Sequence, residues 1–401
     1  MDIFNLIFHT WYGGLTLMII CSLIIAKSCN IFEVATDYLG RNMSEGVKGA
    51  SLNAIGSSIP ELLTTVFFLI FATHANLARD LAASIGGNTG SAIFNSIAIP
   101  MLVIGTVIAT VPGVVGLKIS KKVVIRDGLF LITAELLLIV LLSSKYITHW
   151  HGWAFTLFYL IYLAYTFLSM KKGKNPEPQS SDHNDDSEQG KYLKYVLKTG
   201  TGRKRRSWLL LVGSTLIIAV ACSGLVEGCK GISNSLGINP LFVALILIAA
   251  ASSVPDTIIS IRDAKKGNYD DSLSNILGSN IFDISISLGL PLALFLLFTG
   301  QKIEFSEAGS TLVDIRIVLL IVTLITIAIF YFSTILKKRH VVFLGLLYTI
   351  FILYAIGAAE YYSGSNSLLS QASGSFIQYL RQPNGLGEHL QRLADYITSG
   401  W

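Results

Sequence analysis

Two short stretches carry groups that could bind ions. Ser57-Ser58-Ile59-Pro60-Glu61 lies in one apolar run, and Ser252-Ser253-Val254-Pro255-Asp256 lies in another. In each, the two serines precede the acid by four and three residues, which places all three on one helix face. The proline removes an amide donor and frees the carbonyl four residues back, that of Gly56 or of Ala251. A second pair of motifs follows, GSAIFN at residues 90–95 and GSNIFD at 278–283. Ser91 and Asn95 share a face, as do Ser279 and Asp283, while Gly90 and Gly278 allow a neighbouring helix to come close. The candidate metal-binding set is therefore Glu61, Asp256, Asp283, Asn95, Ser57, Ser58, Ser91, Ser252, Ser253 and Ser279. All offer oxygen, the donor that Ca²⁺ and Na⁺ prefer. Three ionised acids are neutralised by one divalent plus one monovalent cation, or by three monovalent ones. That arithmetic predicts a site that alternates between ion sets and needs no resident cofactor.

These residues must be held at membrane depth. The 401-residue chain is 52% hydrophobic and 14% charged, with a mean hydropathy of +0.61. Soluble domains carry about a quarter charged residues, so the composition predicts an all-α integral membrane protein. Ten spans are expected near 10–29, 46–73, 79–110, 126–143, 150–170, 207–228, 238–262, 271–299, 312–336 and 340–361. The basic residues collect in alternate loops, from Lys27 and Arg41 to the KKRH of 337–340. Positive-inside then places both termini extracytoplasmic in the cell membrane. The start has no basic region before its apolar run, so no signal peptide is expected.

Five spans precede the long polar stretch 171–206 and five follow it. Three motifs recur in the same order across the halves. CNIFEVATDYLG from Cys29 parallels SGLVEGCKGISNSLG from Ser223, and the SSxPE/D and GSxIFN/D pairs follow. The first half holds seven extra residues between its last two motifs, assigned to HANLARD, residues 74–80. Five-span units in tandem must be inverted, an architecture that places transporter sites near the bilayer midplane. The expected organisation is a first repeat over 1–170, a cytoplasmic linker over 171–206, a second repeat over 207–362 and an extracytoplasmic tail over 363–401.

Other features read more plainly. Asp182, Asn184 and Asp186 imitate a calcium loop, but Ser187 and Leu193 stand where glycine and glutamate are needed, so 171–206 reads as solvated linker. The four cysteines form no CxxC or Cys/His cluster and read as buried thiols. The net charge of +5 follows from membrane topology and implies lipid and inorganic cations as partners, with no nucleic acid. Glu33 and Glu227 match across the halves. Glu135 has no counterpart and is expected to hydrogen-bond a neighbouring helix. Arg126-Asp127 and Asp314/Arg316 read as interface anchors, and the tail as short amphipathic helices.

The signatures SSIPELLTT…GSAIFNS and SSVPDTIIS…GSNIFDIS resemble the cation/Ca²⁺ antiporter superfamily of sodium/calcium exchangers, with wording closest to the K⁺-dependent branch. The resemblance implies Ca²⁺ between Glu61 and Asp256, with carbonyls near Ser57 and Ser252. It implies Na⁺ positions that also use Ser58, Ser253, Ser91, Ser279, Asn95 and Asp283. It further implies alternating access by sliding of the first and sixth helices past a fixed core. Aspartate at 283 occurs in K⁺-dependent members and in some K⁺-independent ones, so K⁺ co-transport is left open. Lys48, Asn53, Ala251 and the pair Gly87-Asn88 depart from the family pattern.

The reading is therefore a Ca²⁺-for-Na⁺ antiporter and not an enzyme. The alternative within transport is Ca²⁺/H⁺ exchange by the same carboxylates, although proton exchangers usually carry a GNxxE first signature. An intramembrane aspartyl protease would use Asp256 and Asp283, but GxGD and YD surround neither. A channel would line an open pore with the same residues and would conduct without a counter-ion.

Overall fold

The computed structural model describes residues 10–39, 47, 49–144, 146–168, 203–304, 306–382, 389 and 392. Lys48, most of the linker with its acidic segment, and the final segment lie outside the described residues. The chain is built from helices: α1 (Trp11–Leu39), α2 (Ala54–Ser57), α3 (Ile59–Ile70), α4 (Leu77–Thr110), α5 (Lys121–Leu141), α6 (His149–Leu168) and α7 (Arg203–Leu236) come first. They are followed by α8 (Pro240–Val243), α9 (Ala249–Ser252), α10 (Val254–Lys265), α11 (Tyr269–Phe282), α12 (Leu288–Thr299), α13 (Ser306–Phe332), α14 (Lys338–Tyr362) and α15 (Leu368–Arg381). Among the described residues, eight helical stretches are long and apolar enough to cross a membrane. They become nine if the pair Gly49–Ser57 and Ile59–Ile70, bent by 43°, is one span. Their outward faces are apolar: Leu160, Val220 and Ile350 are all exposed, as a surface facing hydrocarbon requires. The remaining expected span, α5, is long enough but carries Arg126, Asp127 and Glu135.

Two loop contacts relate the helices. Leu117 and Leu336 exchange backbone hydrogen bonds of 2.9 Å in each direction. At the other ends of α5 and α13, strand β1 (Tyr146–Ile147) pairs antiparallel with strand β2 (Ile303–Glu304). Helices α5 and α13 therefore run side by side between the same two loop layers.

The two spans that carry the serine-serine-x-proline-acid motifs are broken where those serines lie. Ser58 and Ser253 both leave helical geometry, with φ/ψ of −93°/11° and −79°/6°, and the chain resumes as α3 and α10 with proline near each new N-terminus. Upstream, each span contains a five-residue π turn, at Gly49–Asn53 and at Ala244–Ile248. A π turn carries one extra residue per turn and is enriched at functional sites. A third π turn covers Asp283–Ser287, whereas Asn95 lies in the uninterrupted α4.

The seven extra residues also have a place. His74–Asn76 lengthen the turn after α3, and Leu77–Asp80 add one helical turn to the start of α4. Several expectations shift. Helix α1 runs to Leu39, ten residues beyond its expected end, and the basic residues Arg203–Arg206 open α7 instead of lying in the linker. Of the expected interface anchors, Asp127, Asp314 and Arg316 are buried packing groups and Arg126 is half-buried. Asp127 binds Arg126 at 2.6 Å and Tyr162 at 3.2 Å, Asp314 binds Arg381 of α15 at 2.6 Å, and Arg316 donates to the carbonyls of Leu138 and Ile139. That last contact caps the C-terminal end of α5 with a cation.

Candidate cation site

The ten predicted residues come from four helical spans, two in each half, and all are 0–2% exposed. The breaks at Ser58 and Ser253 bring α3 and α10 in from opposite halves, and α4 and α11 cross them. Close crossing depends on the glycines. A Cβ on Gly90 would overlap the carbonyl of Leu245, and one on Gly278 would lie 3.1 Å from the Cα of Ala50. Each glycine thus packs on the π-turn region of the other half's broken span.

Glu61, Asp256 and Asp283 each present a carboxylate oxygen, all within 4.8 Å of one another. Ser91 is the hub. Its Oγ lies 3.1 Å from Glu61 Oε1, 2.9 Å from Asp283 Oδ2 and 2.8 Å from Ser253 Oγ. Asn95 Nδ2 donates toward Asp256 Oδ2 at 3.2 Å and Asp283 Oδ2 at 3.4 Å, and Ser279 Oγ donates to Asp256 Oδ1 at 2.5 Å. Ser57 Oγ lies 3.3 Å from Ser279 Oγ and donates at 2.8 Å to the carbonyl of Asn53, while Ser252 donates to the carbonyl of Ile248 at 2.9 Å. Both serines thus bond back to their own helix turn, and each also neighbours a carboxylate, Ser57 beside Asp256 and Ser252 beside Glu61.

Burial of an ionised carboxylate costs several kcal/mol unless it is paired. Here Glu61 Oε2, Asp283 Oδ1, Asn95 Oδ1 and Ser58 Oγ are buried without a hydrogen-bond partner. With the acids ionised, the first three are pure acceptors. Unsatisfied acceptors beside three carboxylates call for positive charge, and the all-oxygen set fits a hard cation.

Sequence reasoning missed a supporting layer. Thr64 and Thr65 donate to the Glu61 carbonyl at 2.9 and 3.1 Å, and Thr65 receives Ser84 and Asn88, each at 2.9 Å. Asn88, unexplained by the motif alone, belongs to this layer behind Glu61. On the other side Asn275 donates to Ser260 at 2.9 Å and to the Asp256 carbonyl at 3.4 Å. Its spacing, four residues before Ser279 and eight before Asp283, was a usable signal. Asn53 binds Asp263 at 3.0 Å and so ties a π turn to α10. Glu135 accepts from Thr323 at 2.6 Å, the expected bond to a neighbouring helix. Glu227 is exposed, and the side chain of Glu33 lies outside the described residues.

Comparison with known proteins places this geometry. The sequence model of the family described as sodium/calcium exchanger protein matches residues 13–168 and 206–357. Each block contains one SSxPE/D and one GSxIFN/D motif. The sodium/potassium/calcium exchanger 1 of Bos taurus is 34% identical over 151 residues, 37% of this chain and 12% of that protein. An uncharacterized membrane protein of Methanocaldococcus jannaschii is 27% identical over 278 residues, 69% of this chain and 80% of that one. Among solved structures, the H⁺/Ca²⁺ exchanger CAX aligns with a TM-score of 0.67 at 14% identity, covering 97% of this chain and 92% of that one. The sodium-calcium exchanger NCX_Mj aligns at 0.53 with 22% identity, covering 84% and 97%. At these identities the structural likeness concerns the fold. The match over most of the chain, in two blocks that each carry one motif pair, shows that the chain belongs to the sodium/calcium exchanger family.

Proposed function

We propose that the chain is a secondary active antiporter that exchanges Ca²⁺ for Na⁺, with Glu61, Asp256 and Asp283 as the charged ligands of one alternating-access site. The observation that carries this reading is the set of partnerless buried acceptors, Glu61 Oε2, Asp283 Oδ1 and Asn95 Oδ1, around three converging carboxylates. Calcium bound by Glu61 and Asp256 leaves one negative charge at Asp283, which a monovalent cation neutralises. Three Na⁺ satisfy the same sum. The serines Ser57, Ser58, Ser91, Ser252, Ser253 and Ser279 complete the proposed oxygen set. K⁺ is a candidate for the monovalent position because Asp283 supplies its charge.

One observation favours a second reading, Ca²⁺/H⁺ exchange. Ser91 lies within hydrogen-bonding distance of both Glu61 and Asp283 but owns a single proton. A proton on either acid would complete the network.

We further propose ten spans, arranged as two inverted five-helix repeats with both termini extracytoplasmic. Helix α13 qualifies as a span, and its ends lie against Leu117 on one side and β1 on the other. Helix α5 connects those same two points, so it crosses as well despite its charges. The π turns at 49–53 and 244–248 stand at the same distance before Ser57 and Ser252, which supports the repeat. The boundaries 1–170, 171–206, 207–362 and 363–401 follow from this plan.

The test of coupling is ⁴⁵Ca²⁺ uptake into proteoliposomes, with Na⁺ and pH gradients imposed separately and external K⁺ varied. Uptake driven by internal Na⁺ supports the first reading. Uptake driven only by a pH gradient establishes the second. Conduction with neither gradient overturns both.

A further inference from the structure

The site is closed. Every proposed ligand is at most 2% exposed, so ions enter only if something moves, and one helix pair covers the broken spans. Helices α1 and α7 lie antiparallel, with Trp11 bound to Ser235 at 3.0 Å and Gly14 against Gly228. Their buried residues, including Met18, Ile25, Ile218 and Leu225, form a hydrophobic cluster with Phe68, Ala83, Val243 and Ile248 of the spans beneath. This pair covers the broken spans: Phe32 lies over Gly56, and Cys222 Sγ lies 3.7 Å from the carbonyl of Pro60.

Polar ties hold the pair at opposite ends. At one end Arg262 of α10 donates to Asn30 of α1 at 2.7 Å. At the other, Lys230 of α7 pairs with Asp80 of α4 at 2.9 Å, and Arg79 donates to Ser233 at 3.3 Å. Lys230 is level with the Gly14 region of α1, so the two ties stand roughly 24 Å apart along the pair, from the 1.5 Å rise per residue. Lys230 and Ser233 are three apart and share a face, while Arg79 and Asp80 are consecutive. Both belong to the added helical turn of α4, which has no counterpart at the start of α11. The first repeat's extra residues therefore supply a clamp at one end of the covering pair only.

We propose that Arg79 and Asp80 are positioning residues that hold the Lys230 end of α7 against α4, and so set how often the site opens at that end. The proposal rests on the reading of the cluster as a site that ions must enter and leave. Cys229, buried beside Lys230 and directed at the carbonyl of Pro240 at 3.6 Å, reports opening at the clamped end. Cys29, buried beside Asn30, reports the opposite end.

The experiment uses the full chain in proteoliposomes, with Cys229 or Cys29 as the single remaining cysteine, and measures maleimide labelling rates. Asp80→Asn and Lys230→Gln should each speed labelling of Cys229 about tenfold, the shift that loss of ~1.4 kcal/mol gives. Cys29 should stay within about twofold. The charge-swapped double variant Asp80→Lys/Lys230→Asp should return Cys229 to its slow rate. Equal acceleration at both cysteines, no acceleration, or failure of the swap to restore protection would overturn the clamp. Labelling needs no transport, so its outcome is separate from that of gradient-driven uptake in the same vesicles. The clamp stands if labelling responds while coupled uptake is absent, and it falls if uptake is intact and labelling does not respond.

Discussion

Asp283→Asn separates the charge count of the site from its calcium affinity. With carboxylate oxygens no more than 4.8 Å apart, each pair repels by at least about 3.5 kcal/mol at an effective dielectric near 20. Neutralising Asp283 removes about 7 kcal/mol of repulsion from the empty and the occupied site alike, so that change drops out of the binding free energy. A divalent ion between Glu61 and Asp256, about 5 Å from Asp283, loses about 7 kcal/mol of attraction by the same arithmetic. In the proposed wild-type site a monovalent ion on Asp283 already offsets that attraction with repulsion of similar size, so Ca²⁺ affinity measured at saturating monovalent ion should stay within about tenfold of wild type. A monovalent ion at Asp283 loses its direct counter-charge and has no such compensation. Na⁺ competition against ⁴⁵Ca²⁺ binding on purified protein should then show a Hill coefficient falling from about three to about two, since that coefficient is bounded by the number of sites. An unchanged Hill coefficient would refute the charge-counting argument. A loss of more than about a hundredfold in Ca²⁺ affinity would refute the assignment of calcium to Glu61 and Asp256.

Three further outcomes are expected. Ser91→Ala removes the hydroxyl that joins Glu61, Asp283 and Ser253. At about 1.5–3 kcal/mol for a hydrogen bond to a charged group, gradient-driven uptake should fall at least tenfold with the protein still folded by size-exclusion. Gly90→Val forces side-chain atoms into the Leu245 carbonyl and Ala249, and overpacking of this kind costs about 1–3 kcal/mol or more, so its melting temperature should drop clearly below that of Ser91→Ala. Glu135→Gln keeps the acceptor for Thr323 and lies outside the carboxylate cluster, so uptake should remain within about twofold of wild type.

Much of the site was legible in the sequence because its chemistry contradicts its surroundings. A serine pair, a proline and an acid have no reason to stand in an apolar run unless they line something, and their recurrence removed the single-motif ambiguity. The glycine argument held for the same reason: Gly90 and Gly278 mark where one half must press on the other. The π turns were not legible, because GASLN, ALILI and DISIS differ in composition and the geometry is imposed by tertiary packing. The division of HANLARD between turn and helix was equally hidden, since Leu77–Asp80 extend a helix whose register continues unbroken into α4. Asp127, Asp314 and Arg316 resembled edge residues because charge near a span end usually meets water. Their partners Tyr162, Arg381 and the α5 carbonyls are remote in sequence and bury them instead. Asn88 had no reading until Thr65 was found beside it.

The most direct test of the central claim is to locate the ion. Crystals grown with Sr²⁺, a heavier stand-in for Ca²⁺, would be measured for anomalous scattering. The account predicts a dominant peak about 2.6 Å from carboxylate oxygens of Glu61 and Asp256, lost in the Glu61→Gln/Asp256→Asn double variant. A dominant peak elsewhere, or one that persists in the double variant, would contradict it.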